Sequence, residues 1–446
     1  MKPFAALLSR HISVALTSPG RRQRRRRFAK LRRILRAEPA EVHYFHQTDD
    51  PYSHLAVQIL PRLAARYRIK ITPHLVSPPD DAAAPQRDLL LAYARRDAVR
   101  LARRYGLSLP QMHAQPQPER IAGANALLAG ALAHPNFAAT AVTLGNQLWK
   151  REPLTAADPG LAHAALSKGD ALRTRLGHYL GGMFYFEGEW YWGIDRLHHL
   201  EARLDDDKLI REPGLPPVAP FQDLKLDGEP NPKIEPLIEF WFSFRSPYSF
   251  IAAPRLHQLA RHYGAKVRWR FILPMVMRGL PVPRIKRRYI MLDVKREAEV
   301  LGLPFGTVVD PVGKGAQQAL AVLHRALQLG LGAEFTQSAL KAAFADGLDL
   351  GQDQDLLKAA GRAGLGISDV QAALADATWQ DAAEDNRRAL FEAGLWGAPS
   401  YRVNAGAAHW GQDRLWALEE DLKDIIDAAE CKSELDPCSH PGGVLS

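Results

Sequence analysis

The 446-residue sequence contains only two cysteines, Cys431 and Cys438, both close to its end. They build no disulfide framework and form no Cys-x-x-Cys, so disulfide exchange through a protein thiol has no motif to run on. Such sparing use of cysteine suits a reducing cytoplasm, with free thiols expected for this pair and a tail disulfide as the alternative. No apolar run approaches a membrane span, and Phe4 to Leu8 is too short and interrupted for a signal-peptide core. Metal and phosphate motifs are missing too: there is no His-Glu-x-x-His, and Gly313-Lys314-Gly315 lacks the Ser or Thr of a phosphate loop. The 16 histidines are scattered. His198-His199, His257 and His262 read as surface or capping residues, and no metal is expected.

Acidic residues are absent from positions 1–36, which carry 12 of the 58 Lys/Arg; the other 410 residues hold 46 basic against 49 acidic. The net charge of +9 therefore describes a basic arm on a mildly acidic body. Within residues 21–36, Phe28, Leu31 and Ile34/Leu35 recur at helical spacing among arginines. Such a helix suits weak contact with an anionic membrane surface or a nucleic acid, or is a plain solvated arm.

What the chain does contain is itself, twice. Pro51-Tyr52-Ser53 recurs as Pro247-Tyr248-Ser249 at an offset of 196, which also pairs Tyr93 with Tyr289, Asp97 with Asp293 and Arg100 with Arg296. Trp192-Gly193-Ile194-Asp195-Arg196 recurs as Trp410-Gly411-Gln412-Asp413-Arg414 at an offset of 218, so the second copy carries 22 more residues in between. Each copy opens with a β-rich run (Val42–Phe45; Ile238–Phe242), a polar turn, and a helix beginning Pro-Tyr-Ser. Proline favours the first helical position, which makes Asp50 and Ser246 helix N-caps. A second strand, helices over roughly 86–176 and 285–394, two short strands and a closing helix complete each copy. A β-α-β half, a helical insertion and a β-β-α half make the thioredoxin-like plan. The expected boundaries are a basic arm (1–40), a first repeat (41–211), a linker with seven prolines in residues 212–236, a second repeat (237–430) and a polar tail (431–446).

Phe242-Ser243-Phe244-Arg245-Ser246-Pro247-Tyr248-Ser249 after a strand resembles the opening of the 2-hydroxychromene-2-carboxylate isomerases and kappa-class glutathione transferases. Lys286-Arg287-Arg288-Tyr289, Gly302-Leu303-Pro304-Phe305, Gly397-Ala398-Pro399-Ser400 and Trp410-Gly411-Gln412-Asp413-Arg414 extend the likeness over most of residues 238–428. The first repeat resembles the same family more weakly. The resemblance implies an α/β fold with two tandem thioredoxin-like (DsbA-like) domains, each with an inserted α-helical subdomain. It also implies glutathione as cofactor and a small conjugated or aromatic acid as substrate, and it allows a homodimer. By resemblance, Ser246 is the catalytic serine that hydrogen-bonds the glutathione sulfur. Ala398-Pro399 is the loop, with a cis proline, whose backbone pairs with glutathione, and Gln412 and Asp413 hold its γ-glutamyl group. Arg245 and Lys286 are candidate substrate contacts.

Physical chemistry agrees, since a thiol at a helix N-terminus is biased toward thiolate. Ser246 is equally readable as a helix cap alone, and Asp413-Arg414 as the start of the last helix. Tyr289, Asp293 and Arg296 read as a packing and ion-pair face. Two departures stand out: Ser243 occupies a position usually acidic in the family, and an expected Asn near Leu280-Pro281-Val282-Pro283 is missing. In the first repeat Asp50, Gly182 and Ile194 replace Ser246, Pro399 and Gln412, so that repeat is expected to be non-catalytic. The alternative to an enzyme is a catalytically inactive duplicated scaffold.

Overall fold

The computed structural model describes residues 3–434. The readings that concern the tail beyond Glu434, Cys438 included, lie outside the described residues. The first half runs α1 (Pro3–Thr17), α2 (Pro19–Leu35), β1 (Glu41–His46), α3 (Pro51–Arg66), β2 (Lys70–Leu75), α4 (Arg87–Tyr105), α5 (Pro118–Ala131), α6 (Phe137–Lys150), α7 (Pro159–Leu176), β3 (Met183–Phe186), β4 (Glu189–Trp192) and α8 (Leu197–Asp206). The second runs β5 (Leu237–Phe242), α9 (Pro247–His262), β6 (Lys266–Phe271), α10 (Arg284–Val300), five further helices α11–α15 between Lys314 and Glu392, β7 (Ser400–Val403), β8 (His409–Trp410) and α16 (Leu415–Glu434). No described helix is long and apolar enough to cross a membrane.

The fold is mixed α/β. Two four-stranded sheets share one plan, with strand orders β2-β1-β3-β4 and β6-β5-β7-β8. In each, the first two strands run parallel and the rest antiparallel. Parallel neighbours need a crossover, and α3 and α9 supply it. The Cα partners Glu41↔Lys70 and Leu237↔Lys266 are the same pair shifted by the 196-residue offset. Aromatic and β-branched residues build these strands because both faces are covered: Tyr44, Phe45, Phe184, Phe240, Trp241 and Phe242 are all fully buried. Helix α7 passes so close to β2 that a Cβ on Gly169 would lie 1.8 Å from the Leu75 carbonyl oxygen.

Packing divides the described residues into two compact units. One, the Ser246 unit, holds residues up to 10, 223–277 and from 307 onward; the other, the Asp50 unit, holds 11–222 together with 278–306. Helix α10 thus leaves the sheet it follows in sequence and is built into the Asp50 unit. There Tyr289 joins the core cluster of Phe45, Val76, Met183 and Trp190. Its ring meets His178 edge-on at 4.6 Å.

The carboxylates of Asp293 and Glu297 on α10 are fully buried and therefore need partners. Asp293 accepts from Arg196 Nε (3.0 Å) and Arg296 Nη2 (3.1 Å), and Glu297 binds His199 Nε2 at 2.6 Å. Tyr289, Asp293 and Arg296 form a packing and ion-pair face. His199 departs from its expected surface role: it is buried because Glu297, 98 residues away, provides a partner inside. Burial holds His198 well below the ordinary imidazole range and lowers His199 from it, against the opposing pull of Glu297.

The proline-rich segment is pinned at both ends. Glu201 accepts from the amides of Val218 and Ala219, and Glu419 from those of Lys225 and Leu226.

Removing Asp293 takes the carboxylate hydrogen-bonded to both buried guanidinium groups, leaving Arg196 the carboxylate of Glu297 at 3.5 Å and Arg296 that of Glu189 at 3.6 Å. Asp293→Ala should lower the unfolding free energy of the Asp50 unit by about 3–5 kcal/mol, read from urea denaturation. A change below about 1 kcal/mol would remove the ion-pair face as an anchor of α10.

Candidate active site at the start of helix α9

Strand β5 ends at Phe242, and the turn Ser243-Phe244-Arg245 reverses the chain into α9. The Ser246 amide donates to the Ser243 carbonyl at 2.9 Å, closing the turn. Ser246 takes the extended conformation of an N-cap (φ −94°, ψ 110°), and its Oγ accepts from the Ser249 amide at 3.2 Å. That satisfies one of the donors a helix start leaves without an intrahelical partner. The same hydroxyl donates to the Ala398 carbonyl at 3.1 Å.

Ala398 precedes a cis peptide to Pro399 at the entry of β7. The Pro399 carbonyl accepts from the Gly411 amide at 3.0 Å, and Ser400 Oγ donates to the Gly397 carbonyl at 2.8 Å. Gly397 is required by the indole above it, since a Cβ there would stand 2.7 Å from Trp410 Nε1. Ser246 and Ala398 are both half-buried, so the hydroxyl and the loop backbone meet at the surface beside the positive end of the α9 dipole.

The other expected site residues have definite places. Arg245 Nε and Nη2 grip Asp310 in a bidentate pair at 2.8 and 2.7 Å. Gln412 is buried, and its Oε1 and backbone oxygen both accept from Arg255 Nη1 at 2.9 and 3.1 Å. Asp413 is partly exposed in the 3-10 turn that leads into α16, with Arg414 Nη1 3.7 Å from its Oδ2. Lys286 lies on α10, in the Asp50 unit, where its ammonium donates to the Ala83 carbonyl at 2.8 Å. Burial brings its pKa down to about 8. The structure thus joins Ser246 with Ala398-Pro399 in one cluster, commits Arg245 and Gln412 to protein partners, and builds Lys286 into the other unit. Sequence reasoning missed Asp310 and Arg255, both of which bind expected site residues. Their acidic and basic character was visible, but their partners lie 65 and 157 positions away.

The corresponding corner of the Asp50 unit carries different chemistry. Asp50 caps α3 by accepting from the Tyr52 and Ser53 amides at 3.2 and 2.9 Å and from Ser53 Oγ at 2.7 Å. Gly182 faces it at φ +64°, and a Cβ there would come within 3.3 Å of Asp50 Oδ2. Burial pushes the carboxyl up to about 6; hydrogen bonds from Ser53 and Tyr52 oppose this, and the charge of Asp49 adds to it.

The folded carboxyl therefore holds its proton to higher pH than the unfolded chain does. Its contribution to stability is fully present below the ordinary value of 3.8 and is lost as pH rises through about 6. Side-chain carboxyl NMR should place the Asp50 midpoint near 6. Between those two pH values the wild type should also gain thermal stability, relative to Asp50→Asn, on acidification. A midpoint at or below the ordinary value would contradict the burial account.

The region that carries this site is similar to known proteins. A family model described as the DSBA-like thioredoxin domain matches residues 237–423. A 2-hydroxychromene-2-carboxylate isomerase from Pseudomonas putida is 34% identical over 76 residues, 15% of this chain. The match spans only 37% of that relative's length. Among solved structures, a 2-hydroxychromene-2-carboxylate isomerase is 22% identical, with 46% of this chain and 100% of that one covered and a TM-score of 0.38. The cytosolic disulfide reductase DsbM from Pseudomonas aeruginosa is 20% identical over 44% of this chain and 98% of its own, with a TM-score of 0.35. A further structure of that reductase contains GSH. Residues 237–423 are a DsbA-like thioredoxin domain.

Proposed function

We propose that the Ser246 unit is a glutathione-dependent isomerase or transferase of the 2-hydroxychromene-2-carboxylate isomerase type, acting in the cytoplasm on a small conjugated or aromatic acid. The observation that carries the proposal is the meeting of the Ser246 hydroxyl, the α9 N-terminus and the Ala398 carbonyl beside cis-Pro399. A hydroxyl in that position can turn from the carbonyl to donate to an anion, and the helix dipole favours negative charge at the same point. Glutathione, when bound, would supply a thiol for reversible addition to a conjugated carbon.

The residues present fit that ligand in part. Ser246 would hold the sulfur, the Ala398-Pro399 backbone its peptide, and Asp413 its ammonium end. Gln412 would act by fixing the Asp413 turn from beneath, since Arg255 already occupies its carbonyl oxygen. Arg245 would serve a substrate carboxylate only by loosening from Asp310.

We further propose that the chain is a tandem duplication whose first copy has lost the chemistry. The shared strand register supports it, as does the carboxylate of Asp50 at the cap, which repels a thiolate. The engagement of both Arg245 and Gln412 by protein partners favours a second reading, an inactive scaffold.

Isothermal titration with glutathione separates the two. Binding should be measurable at millimolar ligand and weaken at least about tenfold in Ser246→Ala, the expected loss of one charge-assisted hydrogen bond. Asp50→Ala should leave it unchanged. No heat at millimolar glutathione from folded wild-type protein would leave only the scaffold.

A further inference from the structure

Helix α2 is fixed on the Asp50 unit by one face only. Arg26 makes a bidentate pair with Glu189 (2.7 Å to each oxygen), Arg33 Nε reaches Glu187 at 2.7 Å, and Arg22 Nη2 reaches Glu299 at 2.5 Å. Lys30 Nζ adds a bond to the Asp207 carbonyl at 3.1 Å. Positions 22, 26, 30 and 33 fall on one side of a helix that turns about 100° per residue.

These pairs are not loose surface contacts. Arg26 and Arg33 keep 16% and 13% of their side-chain surface exposed, and the carboxylates of Glu189 and Glu187 15% and 13%. Burial would raise the Glu189 carboxyl, but the hydrogen bond from Arg26 and the charges of Arg296, Arg26 and Arg203 outweigh it and hold it well below the carboxylate range. The orientation of α2 about its own axis is therefore set by an acidic cradle.

That orientation turns the opposite side outward. Its centre is apolar: Phe28 is 69% exposed, Leu31 53% and Leu35 76%. Exposed Arg21, Arg25 and Arg32 border this strip along one edge and Arg27 along the other, with Arg24 at its N-terminal end. Of sixteen large hydrophobic side chains exposed among the described residues, eight belong to the first 35 positions. A basic helix serving only as a solvated arm, or binding a polyanion only through its charges, has no use for a phenylalanine and two leucines at the centre of its outward face. An apolar strip bordered by guanidinium groups matches the boundary between acyl chains and anionic headgroups.

We propose that α2 is an interfacial helix, held by the cradle of Glu187, Glu189 and Glu299, that docks the protein on an anionic lipid bilayer. The apolar strip enters the acyl boundary while the flanking arginines meet lipid phosphates and carboxylates. The cradle removes the usual cost of folding such a helix at the membrane, because the helix is formed beforehand.

Co-sedimentation of the full chain with phosphatidylcholine vesicles containing about 30% phosphatidylserine, and with pure phosphatidylcholine vesicles, tests the proposal. The anionic vesicles should bind at least about tenfold more tightly, and Phe28→Ser/Leu35→Ser should lose at least about tenfold of that binding. Both side chains are exposed, so the circular dichroism melt of this variant should match the wild type and certify its fold. Duplex DNA forms the comparison arm. Equal binding to both vesicle types, vesicle binding unchanged in the double variant, or DNA displacing the vesicles from both proteins alike would each overturn the proposal.

Discussion

The first turn of a helix leaves backbone donors without intrahelical partners, and in each sheet of this protein one side chain must meet them just after the opening strand. At Ser246 the cap is a neutral hydroxyl that accepts from the Ser249 amide and still has a proton to give. At Asp50 it is a carboxylate that accepts three hydrogen bonds and has nothing to donate when ionised. The two caps serve the backbone equally well and differ in what they offer an incoming anion. The proposed glutathione chemistry of one unit, and its loss in the other, descends from that difference.

The neighbours of each cap follow its chemistry. Opposite Ser246 stands the Ala398 carbonyl with cis-Pro399, and opposite Asp50 stands Gly182, leaving little room for a side chain. The Asp50 carboxyl is half-buried like Ser246 but is raised by burial and spends its oxygens on the Tyr52 and Ser53 donors. Within the Asp50 unit the fold is also held by long-range pairs. On α10, Asp293 is paired with Arg196 and Glu297 with His199, which precede them by almost a hundred positions.

Much of the framework was legible in the sequence because its causes are local. Pro51 and Pro247 mark helix starts, so Asp50 and Ser246 were readable as caps. The apolar runs gave Met183–Phe186, Glu189–Trp192 and Ser400–Val403 with the boundaries the structure has. What stayed hidden depends on partners distant in sequence. Arg245 looked available for a substrate until Asp310 appeared beside it. Lys286 looked like an active-site cation because it sits in the second repeat, yet α10 packs into the Asp50 unit and the ammonium bonds Ala83. The arginines of α2 read as facing a membrane surface, a nucleic acid or solvent, whereas Arg22, Arg26 and Arg33 meet carboxylates from more than 150 positions away. Periodicity identifies a face and cannot say what that face meets.

The central claim is that Ser246 and the α9 N-terminus stabilise a thiolate. The most direct test is the ultraviolet thiolate absorbance of protein-bound glutathione followed as a function of pH. The account predicts a midpoint at least about one unit below the free-thiol value near 8.5, with most of that shift lost in Ser246→Ala. A bound thiol that titrates like free glutathione, or a shift that survives removal of the Ser246 hydroxyl unchanged, would contradict it.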